Sequence, residues 1–186
     1  MLRTQFEEDL LNLHNQFYEM GMLVSKAIHN SVQAYVKHDR RLAEEVIAQD
    51  EVINQLEVRL EKKSFEMIAL QQPVTTDLRR IITVMKASSD LERMGDHAVS
   101  IGKSTIRVKG ENRIPEIEKE MKDMSDYVKK MVDNVLIAYV KTDKDDAKLI
   151  AKMDDQVNEW YSNIYYQTIE AMKNDSELIV MGTEYI

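Results

Sequence analysis

The chain has 186 residues, 44% hydrophobic and 31% charged, with a formal net charge of -8 and no cysteine. That acidity argues against a nucleic-acid scaffold, which presents a basic face, and the missing cysteine excludes a disulfide framework, a thiolate metal site and a cysteine nucleophile. No apolar run approaches the ~18 residues of a membrane-spanning helix, and two acids by Glu8 with no apolar stretch exclude a signal peptide, so the expected compartment is the cytoplasm.

Only 5 Gly and 2 Pro punctuate the chain, so its elements must be long, and 12 Met with many Leu, Ala, Glu and Lys favour helices over strands. Leu13, Phe17, Met20, Val24, Ala27, Ile28, Val32 and Tyr35 recur at steps of three and four, predicting a helix from about Phe6 to Lys37. His38-Asp39 ends it, and Asp39 can cap the next. A second helix is expected from about Arg40 to Leu70, its apolar side carried by Leu42, Val46, Ile53, Leu56, Leu60, Phe65 and Ile68. Gln71-Gln72-Pro73 stops it, because proline disfavours helical geometry in the residue before it. Thr75 or Thr76 can cap a third helix, with Asp77 in its first turn, running through Ile81, Ile82, Met85, Leu91, Met94, Ala98 and Ile101 to about Val108.

Lys109-Gly110-Glu111-Asn112-Arg113 is the clearest boundary, and Pro115 fits the first turn of a fourth helix carrying Ile117, Met121, Met124, Val128, Met131, Val135 and Ala138. Thr142-Asp143 breaks it. A fifth helix is expected from Lys144 to about Met172, and Asn174-Asp175-Ser176 caps a sixth from Glu177 to Ile186.

A constant shift of 104 residues superimposes the halves. Ala34-Tyr35-Val36-Lys37-His38-Asp39 falls on Ala138-Tyr139-Val140-Lys141-Thr142-Asp143, Asp50 on Asp154, and Asn54 on Asn158. The expected fold is all-α, two tandem three-helix bundles, the first over 1–108 and the second over 109–186. The second is expected to be truncated in its last helix, short of its own counterparts of Glu92 and Asp96.

Chemistry concentrates in Ser88-Ser89-Asp90-Leu91-Glu92-Arg93-Met94-Gly95-Asp96-His97. Glu92 and Asp96, four apart, share one helix face, where like charges repel unless a cation joins them. The small residues around them suggest room for something to dock. On the second helix Asp50, Asn54, Glu57 and Glu61 are spaced at steps of 4, 3 and 4, an oxygen-rich strip within roughly 60° of arc. Acids on a solvated face need no function; two such faces on consecutive helices raise the case for a cation. Asp90 points away and can pair with Lys86 or Arg93, and His97 lies ~100° round from Asp96. Trp160, Tyr161, Tyr165 and Tyr166 are expected between helices or at a dimer surface. No zinc-hydrolase spacing, phosphate loop or serine elbow occurs.

The doubled unit, Asp50-x-x-Ile53-Asn54, its repeat Asp154-x-x-Val157-Asn158, and Asp90-Leu91-Glu92-Arg93-Met94-Gly95-Asp96-His97 together resemble the PhoU family of phosphate-transport regulators. The resemblance implies a non-enzymatic negative regulator of phosphate-starvation signalling. It would be an adaptor between the ATPase subunit of a phosphate ABC transporter and a membrane sensor histidine kinase, reaching the membrane only through those partners. It implies iron or zinc ions, and no organic cofactor, on outward patches to which Glu92, Asp96, Asp50, Asn54, Glu57, Asp154 and Asn158 would contribute. Separately, exposed Tyr and Met on the second half point to a homodimer. In the second half Tyr161 and Tyr165 stand where Glu57 and Glu61 stand in the first. Two alternatives compete: a ferritin-type carboxylate metalloenzyme, whose Glu-x-x-His pattern is missing here, and a metal-free helical interaction module.

Overall fold

The computed structural model describes residues 2–108 and 112–186, without the side chains of residues 2 and 3. Three long helices come first: α1 (Leu2–Lys37), α2 (Arg40–Gln71) and α3 (Thr75–Arg107). After residues 109–111, the central part of the expected boundary and outside the described residues, come α4 (Pro115–Lys141), α5 (Lys144–Ala151) and α6 (Asp154–Asn174). A 3-10 turn (Ser176–Leu178) and the one-turn α7 (Ile179–Gly182) end the order. No strand occurs among the described residues, so the all-α expectation holds.

The two interhelical turns at repeat-equivalent positions have the same construction. His38 (φ 51°) and Thr142 (φ 56°) both adopt the left-handed conformation. In each, the next amide reaches back to close the helix: Asp39 N donates to Ala34 O at 2.9 Å, and Asp143 N to Ala138 O at 2.8 Å. The same aspartate then caps the next helix, its carboxylate accepting from Leu42 N in one turn and from Asp145 N and Asp146 N in the other. The 104-residue repeat is therefore visible in backbone geometry as well as in residue identity.

Departures from the expected elements have local causes. Neither Thr75 nor Thr76 caps α3; Val74 holds the N-cap position without a side-chain bond, and both threonines lie inside the helix. The expected fifth helix is broken at Lys152–Met153, where Lys152 N bonds Leu149 O and Met153 N bonds Ile150 O, a 3-10 tightening. α5 buries no residue, so packing does not hold it in line with α6, and Asp154 and Asp155 suit the N-terminal turn of a fresh helix. Asp175 does act as a cap, accepting from Glu177 N, but the sixth element is a turn of 3-10 and a turn of α rather than one helix.

α1 packs on α2, α3 and α4, and α4 carries α5 and α6. The main core joins Leu13, Phe17, Met20 and Val24 of α1 to Ile53, Leu56 and Leu60 of α2 and Ile81, Val84 and Leu91 of α3, and Val132 and Leu136 of α4 reach into it. Phe65, Ile82 and Val135, assigned by periodicity to core faces, are instead exposed. A second cluster gathers Tyr35, Ile117, Ile164, Met181 and Tyr185.

α1 and α4 run antiparallel across the junction of the two units. His14 bonds Tyr139, Ser25 Oγ donates to Asp133 Oδ1 at 2.6 Å, and His29 Nδ1 lies 3.2 Å from Asp126 Oδ1. A methyl group at Gly21 would fall 2.5 Å from Leu136 Cδ2, so glycine is what lets Leu136 seat there. At the far end, buried Glu118 takes a two-armed bond from Arg113 and accepts from the Tyr185 hydroxyl at 2.9 Å, while Arg113 Nη2 also donates to Val36 O. Between α1, α3, α4 and α6 lies a cavity of about 350 Å³ lined by Ile28, Val32, Met94, Met121, Ser125 and Tyr185, among others.

Candidate functional site

The small residues of α3 serve the helix seam. Ser88, Gly95 and Gly102 recur every seven residues and are all buried. A methyl at Gly95 would lie 3.3 Å from Asp50 Oδ1 and 3.4 Å from Ile53, and one at Gly102 would lie 3.3 Å from the Ala43 carbonyl oxygen. This corrects the expectation that small neighbours leave docking room beside Glu92 and Asp96. They let α2 approach, and the close approach presses Asp50 against α3.

Along that seam the acids gather. Asn54 Nδ2 donates to Asp50 Oδ2 at 3.2 Å, one helical turn away. Asp50 Oδ1 and Asn54 Oδ1 are buried without a hydrogen-bond partner. Burial raises the Asp50 carboxyl above the ordinary carboxylate value; the Asn54 bond opposes this, the Asp96 charge adds to it, and Lys103 offsets it. Glu57 is raised by burial, then by Glu61 and Glu92. Glu92 is raised by burial, then by Asp96 and Asp50, with Arg93 opposing. The mutual fields place Asp50, Glu57, Glu92 and Asp96 on one electrostatic face, as their spacing predicts. Asp96 is exposed and Glu92 and Glu57 are half-buried, so the face lies along the edge of the α2–α3 seam.

The donor set suits a hard or borderline cation: carboxylates and one amide oxygen. Two of its oxygens are desolvated and unpartnered, a state that normally costs free energy. Even so, no three His, Asp or Glu side chains among the described residues are grouped closely enough to hold a metal ion. Asp50 and Asn54 are held together in the seam, while Glu57, Glu92 and Asp96 are not drawn into a ligand set with them.

Other expected residues sort differently. Asn158 Nδ2 donates to Asp154 Oδ2 at 2.9 Å, reproducing the Asp50–Asn54 pair, but both residues are exposed at the start of α6. Asp90 lies 4.0 Å from Arg93 with both largely exposed. His97 lines the interhelical cavity instead of joining the acids. Trp160 meets Tyr127 edge-on, ring centroids 5.3 Å apart. The Arg113–Glu118–Tyr185 junction was not anticipated; Arg113 and Glu118 are five residues apart, but no local pattern ties either to Tyr185.

Together these features define a helical repeat protein with an acidic seam and a polar junction between its halves. Comparison with known proteins makes this specific: the PhoU domain family model matches residues 17–105 and 121–185. A phosphate-specific transport system accessory protein PhoU homolog of Clostridium acetobutylicum is 37% identical over 187 residues, spanning 100% of this chain and 85% of the relative. The Streptococcus pneumoniae homolog of the same description is 33% identical, with the same coverage. The crystal structure of PhoU from Pseudomonas aeruginosa superimposes with a TM-score of 0.92 at 30% identity, covering 97% of this chain and 87% of that one. The phosphate transport system regulatory protein PhoU from S. pneumoniae gives 0.88 at 31%, covering 97% and 86%. The chain belongs to the PhoU family.

Proposed function

We propose that this protein regulates phosphate transport as a non-enzymatic accessory protein in the cytoplasm. It would carry the state of a phosphate ABC transporter, through the ATPase subunit, to a sensor histidine kinase, and so act as a negative regulator of phosphate-starvation signalling. The observation that carries this reading is similarity along the whole chain to relatives described as phosphate-specific transport system accessory proteins. No helix of the described residues is long and apolar enough to cross a membrane, which agrees with contact to the membrane through partners alone. Deleting the gene should derepress phosphate-starvation genes in high phosphate, measured by transcript levels. Unchanged transcripts would overturn the reading.

Cation binding at the α2–α3 face is part of the same proposal. The unpartnered oxygens of Asp50 and Asn54 and the raised carboxyls of Glu57 and Glu92 support it. A bound iron or zinc ion would supply positive charge that neutralises the repulsion along the seam, tying α2 to α3. Protein purified without chelator should carry transition metal by elemental analysis, and Glu92→Ala/Asp96→Ala should lose it. Metal-free protein whose melting temperature ignores added metal would leave the seam as solvated acids. A homodimer is also proposed, to be measured by sedimentation equilibrium.

A further inference from the structure

The second unit departs from the first on one helix face. At the repeat positions of Glu57, Glu61 and Lys62 stand Tyr161, Tyr165 and Tyr166. All three are exposed, at 57%, 39% and 70%. Tyr161 and Tyr165 stack with ring centroids 6.4 Å apart and planes at 28°, and Tyr166 meets Tyr165 edge-on at 5.6 Å. Glu61 and Lys62 are exposed in the first unit with α3 packed alongside. The positions that Tyr165 and Tyr166 occupy are thus ones that stay exposed in the first unit even with a third helix alongside.

Acids frame the rings. α6 carries Asp154, Asp155, Glu159 and Glu170 against a single lysine, Lys173. Two exposed rows run side by side at helical spacing: Asp154, Asn158, Tyr161, Tyr165, and Asp155, Glu159, Ser162, Tyr166, Glu170. Lys173 lies 4.0 Å from Glu170 at the helix end, beyond the tyrosines. Exposed tyrosines supply rigid amphipathic contact area of the kind enriched at interfaces. Their ring faces are negative and attract guanidinium groups, and a surrounding acidic field draws in basic chains and disfavours acidic ones.

We infer that this face of α6 is a docking surface for an arginine-containing basic segment of a partner protein, held by cation–π contacts on Tyr165 and Tyr166 and steered by the flanking acids. The inference does not depend on the cation reading or on which partner the family reading names. A fluorescent arginine-rich decapeptide, monitored by anisotropy with the full chain, tests it. Binding should weaken about tenfold in Tyr165→Gln/Tyr166→Gln, where charge is unchanged. It should be retained in Tyr165→Phe/Tyr166→Phe, which keeps the ring faces. Replacing arginine by citrulline, of like shape but neutral, should weaken it similarly, and Glu159→Gln/Glu170→Gln should flatten its salt dependence. Equal affinity for the glutamine variant and the wild type, or for the citrulline and arginine peptides, would overturn the proposal. So would loss of binding in the phenylalanine variant, or sedimentation showing that the tyrosines instead bury against a second copy of the chain.

Discussion

Gly95→Val tests the seam on which the acidic face depends. The first added carbon would sit 3.3 Å from Asp50 Oδ1 and 3.4 Å from Ile53 Cδ1 and Cγ2, closer than comfortable packing, and valine adds two further methyls beyond it. Ile53 is 2% exposed and belongs to the main core, so it has little space to retreat. Overpacking of this kind costs about 1–3 kcal/mol, and the helix-propensity gain of valine over glycine returns only a few tenths. A net loss of about 2 kcal/mol in a chain of this length lowers the melting temperature by roughly 4–8 °C. Gly95→Ala calibrates the experiment: its single methyl needs a shift of a few tenths of an ångström, offset by about 1 kcal/mol of helix propensity, so it should be near neutral. Thermal and urea unfolding monitored by far-ultraviolet circular dichroism give both values. A valine variant as stable as the wild type would show that the α2–α3 approach is loose and that Gly95 does not set the position of Asp50.

Three further outcomes are expected. Asp50 has a folded-state pKa above its unfolded value, so it weighs against folding once pH rises past the folded value and ceases to do so below the unfolded one. Asp50→Asn should therefore gain stability over the wild type at neutral pH in chelator, with the gap closing through the carboxylate range as pH falls. His14 is held below the ordinary imidazole value by burial and then by Arg80, so its contribution is full above about pH 6.5 and fades as pH falls through the folded pKa. His14→Asn should flatten that acid slope in melts between about pH 8 and 5. Glu118→Ala strips Arg113 and Tyr185 of their acceptor in a buried setting; with a quarter of the Arg113 side chain exposed, the loss should be about 3 kcal/mol by urea unfolding.

How much was legible in the sequence depends on the range of the forces involved. Apolar periodicity, Asp39, Pro73 and Pro115 act within a turn or two, and they locate the long helices to within a few residues. The 104-residue shift survives into the twin turns at His38 and Thr142 because a left-handed residue with a capping aspartate after it is a local device. The acidic face was legible for the same reason, since steps of three and four put its members on one side of each helix. Gly95 misleads because its meaning lies in α2, roughly forty residues away in the chain. The break at Lys152–Met153 depends on how little α5 buries, and Phe65, Ile82 and Val135 fit the apolar period but stay exposed in the folded chain. Tyr185 joins the local Arg113–Glu118 pair only after the second unit has folded back on α1.

The α1–α4 seam has a pseudo-twofold whose two ends are unequal. The repeat makes Ser125 and Val32 the counterparts of Gly21 and Leu136. At one end glycine admits the leucine and the helices mesh; at the other, serine and valine line open space, both walls of the cavity of about 350 Å³. The duplicated seam is therefore meshed directly at Gly21, while at Ser125 it closes around a side pocket, pinned on one flank by His29 and Asp126 and on the other by Arg113 and Val36.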